Sequence, residues 1–523
     1  MLSSRASWLA PGVTLALLLG AGSSAASALE DLPVGDPIEA ELRVLDLYPS
    51  STLAERIRLA HLGTRPLTRA ALQGTGAAVA PASATASIAL ARLERVLGRD
   101  PVESFVPNES FLPTPRLFSH FEPPAERLEV SVALEGALVA DRDRTETTSG
   151  SGGHVRAALQ LDRLLAFTNV VLGRFDNARA FADPIVTNTD VTTLTEETYL
   201  AYASGSGAWG AHFGRSRWHW GPGDEGSLIL SKTSAPLTAL EFHADLPSLR
   251  LHASALSATL ARSAGEQFAA HRLEWQPFDA LRIGATEAAR YQSSGWSPLY
   301  VVGLIPYVLV QRLENQDEPS GAGTLHNNIL LGTDISWRVA DGTRIYGEIA
   351  IDDLHARTSE NPDKIAWQVG WDGAGMIGKS RLTWNGEYTR VWRYVYTSYF
   401  GRAFEAQGMP LGFPTGPDSR RVRVRGTWDP SVAWQLFARA AQTDRGENSL
   451  DEPYVPGAPR FSGADFEGVV ERTREADLGL RWWPAGGVDI ALSGGWFRIE
   501  NRDHLAGAKH ESPRATLELR LVR

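Results

Sequence analysis

Between Gly214 and Gly223 the chain reads Gly-Arg-Ser-Arg-Trp-His-Trp-Gly-Pro-Gly, and Ser227-Leu228-Ile229-Leu230-Ser231 follows. Arg215 and Arg217 can fork onto the oxygens of an anion or a sugar, while Trp218 and Trp220 offer flat faces to apolar C–H groups. Neither residue type is a nucleophile or a base at neutral pH, so the segment speaks for recognition. A turn at a membrane interface would use the same tryptophans for their amphipathic shape, and residue types alone do not separate the two readings.

A second constellation lies at Arg421, Arg423 and Arg425. Spacing of two places the three guanidiniums on one side of a strand, with Val422 and Val424 facing the other way. Tyr346, Glu348 and Asp352 share the polar face of another strand and are candidate partners. Such a ladder serves either internal ion pairs or an anionic ligand. Catalytic arrangements are poorer. Glu241, His243, Asp245 and His252 fall on two neighbouring strands with no clear third metal ligand. Ser227 and Ser231 lack the G-x-S-x-G elbow, no glycine-rich phosphate loop precedes a helix, and Asp352 and Asp353 point to opposite faces of a strand. The expectation is a binding protein, not an enzyme, with no catalytic residues, metal or cofactor.

The elements that must carry these residues change character along the chain. Residues 1–28 have the form of a signal peptide: Arg5, an apolar run from Val13 to Ala21 and the small-residue site Ala26-Ser27-Ala28. From Asp36 to about Gly98 the apolar period is helical. Asp36-Pro37 opens one helix that Pro49 closes, Thr52 and Glu55 form a capping box for a second, Pro66–Leu72 is a third short piece, and Ile88–Leu97 is a fourth. Gly74–Ala86, rich in Ala, Gly and Ser, reads as a connection.

From about Arg127 the period becomes two, as in Leu240-Glu241-Phe242-His243-Ala244-Asp245-Leu246 and Arg344-Ile345-Tyr346-Gly347-Glu348-Ile349. Strands of about ten residues separated by Gly, Pro, Asp and Asn match a transmembrane barrel, whose polar face lines a lumen. A soluble sandwich or propeller would have shorter strands and a dry core unsuited to so many inward charges. After the leader no apolar run is long enough for a membrane helix. The net charge of -10 argues against a nucleic-acid partner, and the absence of cysteine removes disulfides and thiolate chemistry. Aromatic residues gather near strand ends, at Trp218 and Trp220, Trp296 and Tyr300, Trp392 to Phe400, and Trp482 and Trp483. They suit an interface girdle or a sugar-stacking surface.

Arg217-Trp218-His219-Trp220-Gly221-Pro222-Gly223 with Ser227–Ser231, then Tyr346-Gly347-Glu348 leading to Asp352-Asp353, then Pro410-Leu411-Gly412 and Gly416-Pro417-Asp418, resemble in order and spacing the pattern of the capsule assembly Wzi family. Pro33-Val34-Gly35-Asp36 and Pro66-Leu67 are similar to that family's leading segment. The resemblance implies a mainly β fold: a transmembrane antiparallel barrel of about eighteen strands over residues 111–523, with a periplasmic helical domain over 29–110. It also implies a lectin-like protein, favoured as a monomer in outer-membrane lipid, that binds capsular or related exported polysaccharide and helps attach it to the cell surface. A porin passing small solutes or oligosaccharides is the alternative. The chain departs from outer-membrane barrels in ending Leu519-Arg520-Leu521-Val522-Arg523, without a terminal aromatic residue.

Overall fold

The computed structural model describes residues 31–32, 38–48, 62–68, 83–97, 126–141, 148–175, 192–204, 208–261, 265–314, 327–353, 362–398, 403–455, 464–484 and 488–522. The leader, the Thr52–Glu55 capping box, most of the 74–86 connection, the 110/111 boundary, Tyr399 and Phe400 lie outside them.

Eighteen strands close into one antiparallel barrel. The first nine are β1 (Glu126–Asp141), β2 (Thr148–Leu161), β3 (Leu164–Phe175), β4 (Thr192–Ala203), β5 (Trp209–Ser216), β6 (Leu237–Leu246), β7 (Leu251–Ala261), β8 (Glu266–Phe278) and β9 (Leu281–Gln292). The rest are β10 (Asn328–Ala340), β11 (Thr343–Asp353), β12 (Lys364–Ile377), β13 (Ser380–Val391), β14 (Ser419–Ser431), β15 (Trp434–Arg445), β16 (Glu471–Trp482), β17 (Val488–Glu500) and β18 (Lys509–Val522). Each pairs with its neighbours in sequence, and β18 returns to β1, with Leu517 opposite Leu138.

The sequence alternation sets which face is which. On β14 Val422, Val424 and Trp428 are exposed on the outside, while Arg423, Thr427 and Asp429 are buried inside. The same inversion holds on β8, where Leu273 and Trp275 face out and Arg272 and Glu274 face in. Apolar side chains outside and ionised ones inside are stable only where the surroundings are hydrocarbon and the lumen supplies polar partners. Trp209, Trp275, Trp337, Trp428 and Trp482 stand outward near one end of their strands and form the interface girdle.

The two ends differ. At the girdle end, turns such as 162–163, 279–280, 341–342, 378–379 and 432–433 have two residues each. In the first, Asp162 takes the left-handed conformation (φ 50°) that favours a tight hairpin. The opposite end carries the long connections, including 217–236, 293–327, 392–418 and 446–470. The 293–327 connection contains two short helices, α3 (Pro298–Val302) and α4 (Tyr307–Glu314), numbered after the two N-terminal ones.

Those N-terminal helices are α1 (Ile38–Asp46) and α2 (Ala84–Leu97). Helix α2 starts four residues before the expected Ile88 because the Ser83 hydroxyl caps it, accepting from the Ala86 N–H at 3.1 Å. Leu42, Val44 and Leu45 of α1 pack on Ala86, Ala89 and Leu93 of α2 and on Ala374 of the barrel wall. The expected third helical piece at Pro66–Leu72 is instead extended over its described part. Leu67–Thr68 pairs with Asp31–Leu32, and Thr64–Arg65 pairs with His219–Trp220, so its backbone groups are satisfied by other segments.

Candidate functional site

The connection between β5 and β6 does not project from the long-loop end. It turns back into the lumen and carries the Arg-Trp-His-Trp-Gly-Pro-Gly segment with it. Trp220 backbone pairs with Thr64 on one side and Leu230 on the other, and Gly221 N–H donates to the Gly63 carbonyl at 2.8 Å. Two glycines permit the fold of the tip. Gly221 has φ 147°, and a Cβ at Gly223 would sit 2.2 Å from the Gly226 carbonyl oxygen.

Beyond that turn, Asp224 and Glu225 reach the arginine ladder. Arg421 binds Glu225 with two bonds of 2.7 Å, a bidentate fork. Arg423 donates to Asp224, Asn385 and Glu387, each at 2.6 Å. Glu387 in turn accepts from the backbone N–H of Asp224 at 2.7 Å and of Glu225 at 3.1 Å. Glu348 accepts from the Ser227 hydroxyl at 2.8 Å and the Leu228 N–H at 2.9 Å. From the girdle end Arg43 of α1 pairs with Asp224, and Arg65 binds Glu39 at 2.7 Å while pointing toward the Gly221 and Gly223 carbonyls.

Burial pushes the Asp224 carboxyl up, but Arg43, Arg423 and Lys232 outweigh it and hold it well below the ordinary aspartate value. For His219 burial acts first, and Arg65 and Lys232 add to it, so its imidazole is held well below its usual range. The tip is therefore an ionised acidic finger in a cationic socket.

Above the tip the lumen turns apolar. Leu228, Ile229 and Leu230 join Trp218, Trp220, Tyr396, Phe404, Leu411 and Phe413 in one buried cluster against Ala258, Phe268, Ala288, Leu330 and Ala350 of the wall. The 392–418 connection supplies its lid: Tyr396 hydroxyl donates to the Leu228 carbonyl at 2.7 Å, and Ser231 N–H donates to the Leu411 carbonyl at 2.8 Å. Asp352 accepts from the Tyr396 N–H at 2.8 Å, which fixes that lid to β11.

Below the tip, Arg381 and Arg92 share Glu41 and Asp429 over distances of 2.5 to 3.0 Å, and Arg282 grips Asp46 at 2.6 and 2.8 Å. Arg92 also donates to the Trp434 carbonyl at 3.0 Å, and Gly342 N–H to the Leu47 carbonyl at 3.0 Å. The two helices are thereby fastened across the short-turn end.

The structure thus brings together most of the residues singled out by sequence, in a role of holding the inserted segment. Trp218 and Trp220 are 4% and 1% exposed. Arg217 donates to the Ser234 carbonyl at 3.0 Å within the same connection. Tyr346 is buried under the Arg344 guanidinium, 4.6 Å from the ring centre. Arg425 lies on the same lumenal side as Arg421 and Arg423 and makes no ion pair among the described residues. Arg215 stands apart: it follows Phe213 on the outward face of β5, opposite Thr238 and Thr198. The four residues weighed as a metal site form two ion pairs, His243 with Glu241 at 3.1 Å and His252 with Asp245 at 2.8 Å, whose imidazoles stack with 6.1 Å between ring centres. Sequence reasoning missed Asp224, Glu225, Arg43, Arg65 and Glu387. The acids directly after Gly-Pro-Gly were the available signal, since a second sign of charge was needed to answer the ladder.

No curated protein sequence matches the chain. Among solved structures, the chain is similar to Wzi of Escherichia coli, described as an outer-membrane, carbohydrate-binding β-barrel involved in group 1 capsule assembly. The TM-score is 0.60 at 15% identity, over 94% of this chain and 99% of that one. OprD of Pseudomonas aeruginosa matches at a TM-score of 0.42 and 9% identity over 76% of this chain and 95% of its own, too slight a likeness to weigh. The model of the family described as capsule assembly protein Wzi matches residues 122–512, which take in the lumenal segment, its lid and the barrel-wall side of its socket, while Arg43 and Arg65 lie before the matched stretch. The chain belongs to the Wzi family of capsule assembly proteins.

Proposed function

We propose that this protein is a lectin-like barrel of the bacterial outer membrane, which holds exported capsular or related polysaccharide at the cell surface through its long-loop end. The observation that carries the reading is the engagement of the arginine ladder. Arg421 and Arg423, which would line an open channel, are spent on Glu225 and Asp224 of the chain's own inserted segment. A barrel so filled works as a platform rather than as a conduit for solutes, and its family membership supplies the ligand class. The helices α1 and α2 then face the periplasm, since short turns lie on that side of outer-membrane barrels.

In this reading Arg217, Trp218, Trp220, Glu348 and Asp352 act on the ligand indirectly, by fixing the lid on which polysaccharide rests. No reaction is assigned to the chain. The test is binding of purified exported polysaccharide to the refolded chain, alongside conductance in planar bilayers. Saturable binding with a quiet bilayer is the expected result. A large steady current without glycan binding would replace this reading with the porin one.

A further inference from the structure

The connection between β9 and β10 holds a surface that the polysaccharide reading does not use. From Trp296 to Gln311 it contains no acidic, basic or histidine residue, unusual for a connection at the outer end of a barrel. Its helices α3 and α4 lie on the outer wall. Tyr300, Tyr307 and Val310 pack on Ala269, Ala289 and Tyr291, all outward positions of β8 and β9. A Cβ on Gly303 would lie 2.9 Å from the Cβ of Ala255 on β7. Small wall residues thus make a shallow seat for the pair.

The seat has a polar anchor. Glu287, outward on β9, accepts from the N–H groups of Tyr307 and Val308 at 2.7 and 3.1 Å and pairs with His271 at 3.1 Å, closing the start of α4. Among the described side chains, the large hydrophobic ones that the pair turns away from the wall are Leu299, Val302, Leu304, Val308, Leu309 and Leu313, Leu304 exposed by 83%.

The register gives the level of this surface. His271 lies opposite Ala255 and Glu287, Ala255 opposite Phe242, and Glu287 opposite Leu331. Phe242 and Leu331 flank the helical pair on both sides in the same row and are themselves exposed members of the lipid-facing surface. We infer that α3 and α4 are an acyl-chain-embedded anchor: a helical pair laid against the barrel wall in the outer leaflet, with Leu299, Val302, Leu304, Val308, Leu309 and Leu313 in contact with lipid tails. The occupant is hydrocarbon because the surface continues the barrel's own apolar belt with no charged rim between them among the described side chains. This inference rests on the membrane-barrel reading of the chain.

The chain has no cysteine, so single substitutions Leu304→Cys and Leu309→Cys each carry one environment-sensitive fluorophore. Ile335→Cys on the lipid face of β10 and Asp503→Cys in the exposed connection between β17 and β18 serve as references. In proteoliposomes of phosphatidylcholine brominated on its acyl chains, the labels at 304 and 309 should lose as much fluorescence as that at 335, and aqueous iodide should leave them bright. Iodide quenching like that at 503 would overturn the anchor. Energy transfer between labelled copies at 304, with bromine quenching lost, would overturn it in favour of contact with a second copy of the chain. Absence of bromine quenching at 335 as well would remove the membrane reading and the anchor with it.

Discussion

Arg43 on α1 is ion-paired with Asp224, a residue 181 positions further along the chain that enters the barrel from the opposite end. The helical domain and the inserted segment therefore meet inside the lumen, where Arg423 completes the clamp on the same carboxylate.

Replacing Asp224 with Ala leaves Arg43 and Arg423 short of a partner in a buried setting, a loss of about 3–5 kcal/mol for a broken buried pair. The wall does not depend on Asp224, so the barrel should still insert and show heat-modifiable migration. Fluctuating current across a planar bilayer should appear where the parent protein is quiet. A quiet bilayer with a well-inserted variant would show that the clamp does not hold the segment in place.

The same carboxylate sets a pH response. Its value in the folded protein lies below the ordinary 3.8, so its contribution to stability is complete above that pH and is lost as pH falls through the folded value. The current should remain closed at neutral pH and open only in acid well below 3.8. Recordings across that range check it; opening between pH 5 and 7 would point to a different group.

Glu348 uses one oxygen to accept from Ser227 and Leu228, while Oε2 has no hydrogen-bond partner. Glu348→Gln keeps an acceptor oxygen of similar placement and should cost little. Glu348→Ala leaves the buried Leu228 N–H unanswered, with the Ser227 hydroxyl still held by the Trp220 carbonyl, at about 1–3 kcal/mol. Denaturant unfolding in detergent of the two variants should separate them; equal losses would argue that charge rather than acceptance matters.

Trp220→Ala empties a fully buried site in the lumenal cluster and should destabilise by about 3–5 kcal/mol. Under the platform reading, the triple change of Arg217, Trp218 and Trp220 to Ala should also lower retention of polysaccharide on cells while the barrel still inserts. Unchanged retention by inserted protein would detach this segment from the function.

Gly223→Ala tests the tip itself. The added methyl would meet the Gly226 carbonyl and the Gln368 side chain, so the tip must move away from the ladder. The expected signature is the Asp224→Ala phenotype, bilayer current with an intact barrel, although no charge has been removed.

The barrel was legible because its alternation is written in residues as different as Val422 and Arg423, and a hydrocarbon exterior leaves that pattern one meaning. The site was half legible. Arg421 and Arg423 announced that an opposite charge had to answer them, and Glu348 was recognised as lumenal. Their partners lie far away in sequence on a connection whose direction, in or out of the barrel, no local pattern reports. Tryptophans at a turn suit a girdle or a sugar face equally well by composition. Only the inward path of 217–236 buries Trp220 while Trp209 and Trp275 stay at the girdle. The extended run at Leu67–Thr68 was missed for the same reason, since its backbone partners come from elsewhere.

The inserted segment joins β5 to β6, whereas the barrel is sealed by β18 pairing with β1. The filling therefore hangs from the wall by two neighbouring strands, five strands away from the seam, and its free tip is moored to a separate part of the chain through Arg43. A cylinder corked from one mouth by its own wall and from the other by its amino-terminal helices is held shut by a single handshake, so releasing either hand loosens both stoppers.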